Sequence, residues 1–313
     1  MQADSFIMPS GGVPIFVRRW LPDDVPRAVV QIAHGMAEHS GRYERLAQAL
    51  TEAGFAVYAD DHRGHGQTAL RPADLGHFAN HKGWEKTVDD LWHLTLRIAL
   101  AHPGRPIVLL GHSMGAFLAQ DYIARHGDAL AGVALSGASG RPPPLIGLGR
   151  LIARAERLRH GKRGRSRLLE RLSFGGFNKA FAPARTPFDW LSREGDEVDR
   201  YIADPLCGFR CTTGFWLDLL AALPRIAGPA HLARVPKDLP VLILAGALDP
   251  VGGATKGPRQ LVAAYKHQGL QHVEHKFYDG GRHEIFNDTN RLEATADFIA
   301  WADRVVGGSA ART

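Results

Sequence analysis

Ser113, Asp249 and His283 have the side-chain types, and the order along the chain, for attack on an acyl carbon through an activated hydroxyl. Ser113 is the centre of a G-x-S-x-G pentapeptide, Gly111-His112-Ser113-Met114-Gly115, placed between an apolar run and a helix-patterned segment. A nucleophile on a sharp strand-to-helix turn is conformationally strained, and a side chain two residues before or after it would collide with its surroundings. Glycine has no Cβ and fits both positions. Such a turn lifts the hydroxyl above the sheet and sets it at a helix N-terminus, where backbone N–H groups favour a developing oxyanion. A serine hydroxyl is a weak nucleophile at neutral pH and needs a base, which a neutral imidazole at His283 can supply. Asp249 is expected to hold that ring in one tautomer and to stabilise the imidazolium that forms. Asp279 is the rival acid, but it lies four residues before His283 on the same loop and is poorly placed for the far side of the ring. An oxyanion hole needs two backbone donors. The expected pair is the N–H of Met114 and the N–H of Met36, in the loop His34-Gly35-Met36-Ala37. Gly35 is expected to let the chain turn there, and His34 to brace neighbouring loops from the core.

The elements around these residues follow from apolar patterning. Ile107 to Leu110 reads as a buried strand, followed by a helix with Phe117, Leu118, Tyr122 and Ile123 on one side. Further strands are predicted at 28–33, 55–59, 130–135, 241–245 and 273–278, with an edge hairpin over 6–22 around the turn 9–12. Helices are predicted over 84–101, 255–267 and 290–305. Strands alternating with helices give an α/β protein with a mostly parallel, eight-stranded sheet and helices on both faces. Ser113, Asp249 and His283 then fall in loops beyond the carboxyl ends of three strands, where reactive groups of such sheets collect. The alternation stops after Gly140 and resumes at Val241, a gap far longer than the usual connection of about 2–6 residues plus a helix. The chain therefore divides into a core segment 1–140, an inserted unit 141–235 that opens on Arg141-Pro142-Pro143-Pro144, and a second core segment 236–313. In the insertion, Leu148, Leu151, Ile152, Ala155 and Leu158 make one apolar helical face, with Arg150, Arg154, Arg157 and Arg159 elsewhere. The small, polar tail 307–313 is expected to be disordered.

Composition excludes several classes. The 313 residues are 45% hydrophobic and 22% charged, ordinary for a globular protein, and no apolar run is long enough to span a bilayer. The N-terminus does not read as a signal peptide. The net charge of +6 is concentrated between Arg141 and Arg171, which hold ten Lys or Arg against two Glu. Local basicity of this kind argues against a general nucleic-acid binder. It suits a solvated helix face or contact with an anionic lipid surface. Cys207 and Cys211 match neither a C-x-x-C nor a zinc spacing and read as free thiols in a reducing cytoplasm. The segment His62-Arg63-Gly64-His65-Gly66 lacks a carboxylate–histidine metal pattern, and no phosphate-binding glycine motif occurs, so neither metal nor nucleotide cofactor is expected.

Four motifs in order carry a family resemblance: His34 to Tyr43, Asp61 to Gln67, the elbow Gly111 to Gly115, and Gly281-Arg282-His283-Glu284. Together they resemble the monoacylglycerol lipase and lysophospholipase group of serine hydrolases, of the serine aminopeptidase S33 type. The resemblance implies an α/β-hydrolase fold with a helical cap after the sixth strand, and cofactor-free ester hydrolysis on single-chain lipids. It also implies a triad at Ser113, Asp249 and His283, with oxyanion donors at Met36 and Met114. Ala37 stands where the family usually has glycine, and Ala116 where a second glycine often follows the elbow. A general short-chain carboxylesterase or thioesterase is the alternative within enzymes, and a proline-iminopeptidase-type peptidase a further one, for which no clear acidic pair occurs in the cap. Ser113 excludes epoxide hydrolases and dehalogenases, which need Asp there. A non-catalytic binding protein on the same fold is the alternative of another class.

Overall fold

The computed structural model describes residues 2–142 and 145–310, so Pro143 and Pro144 at the opening of the insertion lie outside the described residues. Eight strands form one sheet: β1 (Gln2–Ser10), β2 (Val13–Leu21), β3 (Ala28–Ala33), β4 (Phe55–Asp60), β5 (Ile107–His112), β6 (Gly132–Ser136), β7 (Val241–Gly246) and β8 (Val273–Tyr278). Their spatial order is β1-β2-β4-β3-β5-β6-β7-β8. The β1–β2 and β2–β4 pairs are antiparallel and the remaining pairs are parallel. The β1–β2 turn is Gly11-Gly12 with φ of +51° and +78°, a left-handed pair that twists with the strands and that glycine adopts at little cost.

Helices α1 (Glu44–Glu52), α2 (Gly83–Ala101) and α3 (Met114–His126) precede β6. Helices α4 (Ile146–His160), α5 (Arg167–Phe174), α6 (Gly195–Ala203), α7 (Thr213–Ile226) and α8 (Pro229–Leu232) lie between β6 and β7. Helices α9 (Lys256–His267) and α10 (Arg291–Ala310) follow. Both faces of the central strands are covered, so alternate residues join different cores. Val108 and Leu110 of β5 pack with Leu50, Phe298 and Trp301, and Leu109 packs with Leu91, Leu118 and Tyr122. Each such side chain contributes about 1.5–3 kcal/mol on leaving water, and the result is a stiff platform whose strand ends carry the loops of interest. The insertion is tied to this platform through Asp121 of α3. Its buried carboxylate accepts from Trp84 Nε1 at 2.7 Å and from Arg225 Nη2 of α7 at 2.6 Å.

The apolar face predicted on α4 is largely exposed, and one expectation, the end of the last helix, is corrected. Gly149, Ile152, Ala153 and Glu156 turn inward, Gly149 and Ala153 giving α4 a small surface for its packing on α7, while Leu148, Leu151 and Leu158 are exposed. The tail does not end the last helix at 305. Val306 packs into the core and α10 continues through Gly307 and Gly308 to Ala310; 311–313 lie outside the described residues.

Candidate active site

β5 ends at His112, α3 begins at Met114, and Ser113 between them has φ 53° and ψ −117°. A non-glycine residue in that region costs on the order of 1–3 kcal/mol and persists only when its surroundings hold it. Here the Ser113 N–H donates to the Ser136 carbonyl of β6 at 2.8 Å. A methyl on Gly111 would strike the backbone of Gly115 and Ala116, and one on Gly115 would strike the carbonyl of Ala33. The glycines are thus required by close approach of α3 to β5 and β3.

Asp249 lies in the turn after β7 and is fully buried, whereas the rival Asp279 is exposed. His283 lies in the loop after β8 with 2% exposure. Its Nδ1 is 2.9 Å from both carboxylate oxygens of Asp249. That contact assigns the proton to Nδ1, leaving Nε2 as an acceptor. Burial alone would lower the His283 pKa, but the Asp249 carboxylate, helped by Glu284 and Glu38, outweighs it and the net shift is upward. His112 is a second ring beside His283, with centroids 4.8 Å apart. Burial and the neighbouring His283 pull His112 down to about 4, so it stays neutral.

Met36 and Met114 line the same cavity as Ser113 and His283. The loop bearing Met36 turns at Ala37, not at Gly35. Ala37 has φ 54°, and its carbonyl accepts from Gly208 N–H at 2.9 Å and Tyr201 Oη at 3.0 Å, both from the insertion. Gly35 serves close approach instead, since a methyl there would lie 3.3 Å from Ser113 Cβ and against the Glu38 carboxylate. His34 is buried, stacks on His62 at 4.0 Å and accepts from the His62 N–H at 3.0 Å, which ties the end of β3 to the loop after β4.

The cavity measures about 1150 Å³. Its base is made by the strand-end loops and its walls by the insertion, including Ile152, Leu172, Phe174, Trp190 and Trp216. Trp190 touches the site directly: its carbonyl accepts from His283 N–H at 3.3 Å and its ring lies 5.1 Å from the imidazole. Among the described residues the acidic side chains of the lining are Glu38, Glu170 and Glu284, and each meets an arginine: Arg42 bridges Glu38 and Glu284, and Arg210 pairs with Glu170. A separate group, His39, Asp204 and Cys207, has ligand-type atoms within 4.8 Å of one another. His39 Nδ1 accepts from Gly41 N–H at 3.1 Å, so its proton sits on Nε2 and points at Asp204 Oδ2, 2.8 Å away. Metal at Nε2 would shift that proton to Nδ1 against another N–H; the arrangement fits a hydrogen-bonded His–Asp pair. Both cysteines are free and buried, on the loop between α6 and α7 and not on a helix, and burial pushes both thiols upward. Glu38, Arg42, Glu284 and Trp190 are site residues that motif reading did not assign, although the first three stand inside the motifs that carried the resemblance.

A mostly parallel eight-stranded sheet with a serine elbow after β5, an acid after β7 and a histidine after β8 is an α/β-hydrolase. Residues 24–290 match the serine aminopeptidase S33 family, and the chain belongs to it; it is a hydrolase of the monoacylglycerol lipase-like group. It is 31% identical over 299 residues to the monoacylglycerol lipase of Mycolicibacterium smegmatis, spanning 93% of each chain. It is also 31% identical over 299 residues to human monoglyceride lipase, spanning 89% of this chain and 86% of that protein. Among solved structures it is similar to a highly thermostable carboxyl esterase from Bacillus coagulans in complex with glycerol, with a TM-score of 0.90, 29% identity and coverage of 98% and 99%.

Proposed function

We propose that the protein cleaves carboxylic esters of single-chain lipids, monoacylglycerol or lysophospholipid, through an acyl-enzyme on Ser113. His283 Nε2 takes the Ser113 proton as Oγ attacks the ester carbonyl. The N–H groups of Met36 and Met114 hold the oxyanion, and Asp249 steadies the imidazolium. The imidazolium then protonates the leaving alcohol. In the second half, His283 draws a proton from water, hydroxide attacks the acyl-serine, and the fatty acid leaves as Ser113 regains its proton. The observation that carries the substrate class is the cavity: about 1150 Å³, walled by aliphatic and aromatic side chains. An aminopeptidase would need a free carboxylate for its substrate amine, whereas Glu38, Glu170 and Glu284 each face an arginine.

In this reading 141–235 forms a cap over the site, which the run of helices from α4 to α8 supports. The cap meets the lipid surface with the exposed leucines of α4 and α5, and the basic residues of the same segment favour anionic headgroups by about 1 kcal/mol each. None of the described helices is long and apolar enough to cross a membrane. The unlinked, buried Cys207 and Cys211 favour a cytoplasmic setting. The likeness to a carboxyl esterase favours one second reading, short-chain ester hydrolysis. Initial rates on p-nitrophenyl esters from acetate to palmitate, with Ser113→Ala as control, separate the two. A Ser113-dependent optimum at medium or long chains supports the lipid reading, and the next comparison is monoacylglycerol against lysophospholipid. An optimum at acetate or butyrate favours the second reading, and no Ser113-dependent turnover removes both.

A further inference from the structure

We propose that Arg42 is a positioning residue that holds the oxyanion loop, the His283 loop and the helical insertion in one register, so that seating of the insertion and acyl transfer are coupled. The inference rests on the roles given above to Ser113, His283 and Met36.

Arg42 meets two carboxylates from different loops. Its Nη1 donates to Glu284 at 2.5 Å and Nη2 donates to the other Glu284 oxygen at 2.7 Å, a two-pronged contact. Nη1 also donates to Glu38 at 2.9 Å. Glu284 directly follows His283. Its carboxylate also accepts from Asn287 Nδ2 at 3.2 Å, and its backbone N–H donates to Leu191 of the insertion at 2.8 Å. Glu38 accepts from Tyr43 Oη at 2.8 Å and from the N–H of Gly35, the residue before Met36. One guanidinium therefore fixes the distance between the loop that presents an oxyanion donor and the loop that presents the base.

The insertion reaches the same hub. The Arg42 guanidinium lies 4.8 Å from the centre of the Tyr201 ring, and Tyr201 Oη donates to the Ala37 carbonyl. Gly208 N–H donates to that carbonyl as well, and Asp204 accepts from His39. Ala37 is held with φ 54°, a conformation an alanine leaves readily once its partners are withdrawn. Lifting Tyr201 and Gly208 away would relax Ala37 and swing the adjoining Met36 N–H out of place. The Arg42, Glu38 and Glu284 side chains are 9%, 4% and 5% exposed, so the pairs are not a solvated surface feature. Buried ion pairs are seldom the most stabilising way to fill such a space, whereas a planar fork sets an angle that apolar packing does not.

The hub also sets charge around the base. His283 faces Asp249 from the β7 turn, Glu284 from its own loop, Glu38 from the oxyanion loop and His112 from β5, with Arg42 and Cys207 behind the two glutamates. Removing the Glu284 charge destabilises the imidazolium. Removing the Arg42 charge leaves two carboxylates uncompensated and has the opposite effect.

The test uses the full chain and a soluble ester, p-nitrophenyl butyrate, with kcat, KM and the pH profile of kcat/KM measured and the folded fraction followed by thermal melting. Glu284→Gln is expected to move the acidic limb to lower pH and Arg42→Met to higher pH, each by about half a unit or more. Arg42→Lys keeps the charge and loses the fork, so kcat is expected to fall about tenfold or more with KM near that of the unaltered protein and the limb unmoved. Tyr201→Phe is expected to lower kcat in the same KM-independent way, by less. Should Arg42→Met fail to fold, Glu284→Gln and Arg42→Lys decide the matter. Limbs that stay in place with kcat within about twofold, or losses that follow only the folded fraction, would overturn the proposal. Absence of Ser113-dependent turnover in the unaltered protein would defeat the functional reading and this inference together; normal turnover with indifferent variants would defeat this inference alone.

Discussion

The base of the cavity and the α4–α5 side of its wall are made on opposite terms. At the base, Asp249 and His283 are buried, His283 is bonded through its ring to Asp249 and through its backbone to Trp190, and Ser113 is pinned by its N–H to β6. On the wall, Leu145, Leu148 and Leu172 line the cavity yet are 71%, 53% and 59% exposed, and Leu158 at the far end of α4 is 90% exposed. On the proposed function the base aligns three groups for proton transfer and gains from every bond that fixes it, because small misplacements there cost rate. A wall that receives an acyl chain needs only apolar area, and exposed leucines next to arginines gain by meeting another apolar phase rather than each other. Rate is thus expected to depend on the base, and substrate form on the wall.

The largest effects sharpen that division at the base. Ser113→Ala and Asp249→Asn are each expected to lower kcat by about 10⁴-fold or more, with melting temperatures near that of the unaltered protein. Next comes the pH profile. The His283 pKa is raised above the usual 6.5 because Asp249, Glu284 and Glu38 outweigh burial. In the proposed mechanism the neutral ring is the general base, so kcat/KM is expected to fall as pH drops through that raised value. The acidic limb should lie above 6.5, and a limb below it would contradict the charge balance described.

Smaller effects belong to the insertion. Leu151→Ser with Leu158→Ser, at exposed positions of α4 outside the cavity lining, is expected to leave kcat/KM on p-nitrophenyl butyrate unchanged and to lower the rate on long-chain ester in anionic vesicles by about tenfold. Equal losses on both substrates would erase the division. The smallest concerns Asp218 of α7, at the root of the insertion. Burial, aided by nearby Glu85, pushes it up from 3.8 to about 6. A carboxyl whose folded pKa is raised favours the fold while protonated, and that contribution is lost as pH rises from 3.8 through about 6. Asp218→Asn is therefore expected to stabilise the protein by about 1 kcal/mol at pH 8 and to change little at pH 4, in thermal or urea melts at both pH values.

The elbow was legible because its glycines answer a local steric demand, and Asp249 and His283 because strand ends mark where reactive loops collect. Legibility fails where contacts are long-range. Arg42 and Glu284 are 242 residues apart, so no periodicity joins them, although both lie within motifs whose order was clear. Glycine is the usual left-handed residue, which points to Gly35 as the turn of the loop bearing Met36, whereas partners in the insertion hold Ala37 there instead. On α4, periodicity disclosed an apolar stripe but not its partner. The inward face is marked by small residues, Gly149 and Ala153, that a hydrophobic count undervalues. The last helix outran its expected end because one apolar residue, Val306, anchors a turn that its glycines alone would not.

The most direct test of a reactive serine at the base is covalent. The unaltered protein, Ser113→Ala and His283→Ala are each treated with a long-chain alkyl fluorophosphonate, and the adduct is located by peptide mass spectrometry. The expected result is one phosphonate on the peptide bearing Ser113, absent from Ser113→Ala and slowed by about 10³-fold or more in His283→Ala. An adduct on another residue, or ester turnover that survives in Ser113→Ala, would contradict the assignment of the site.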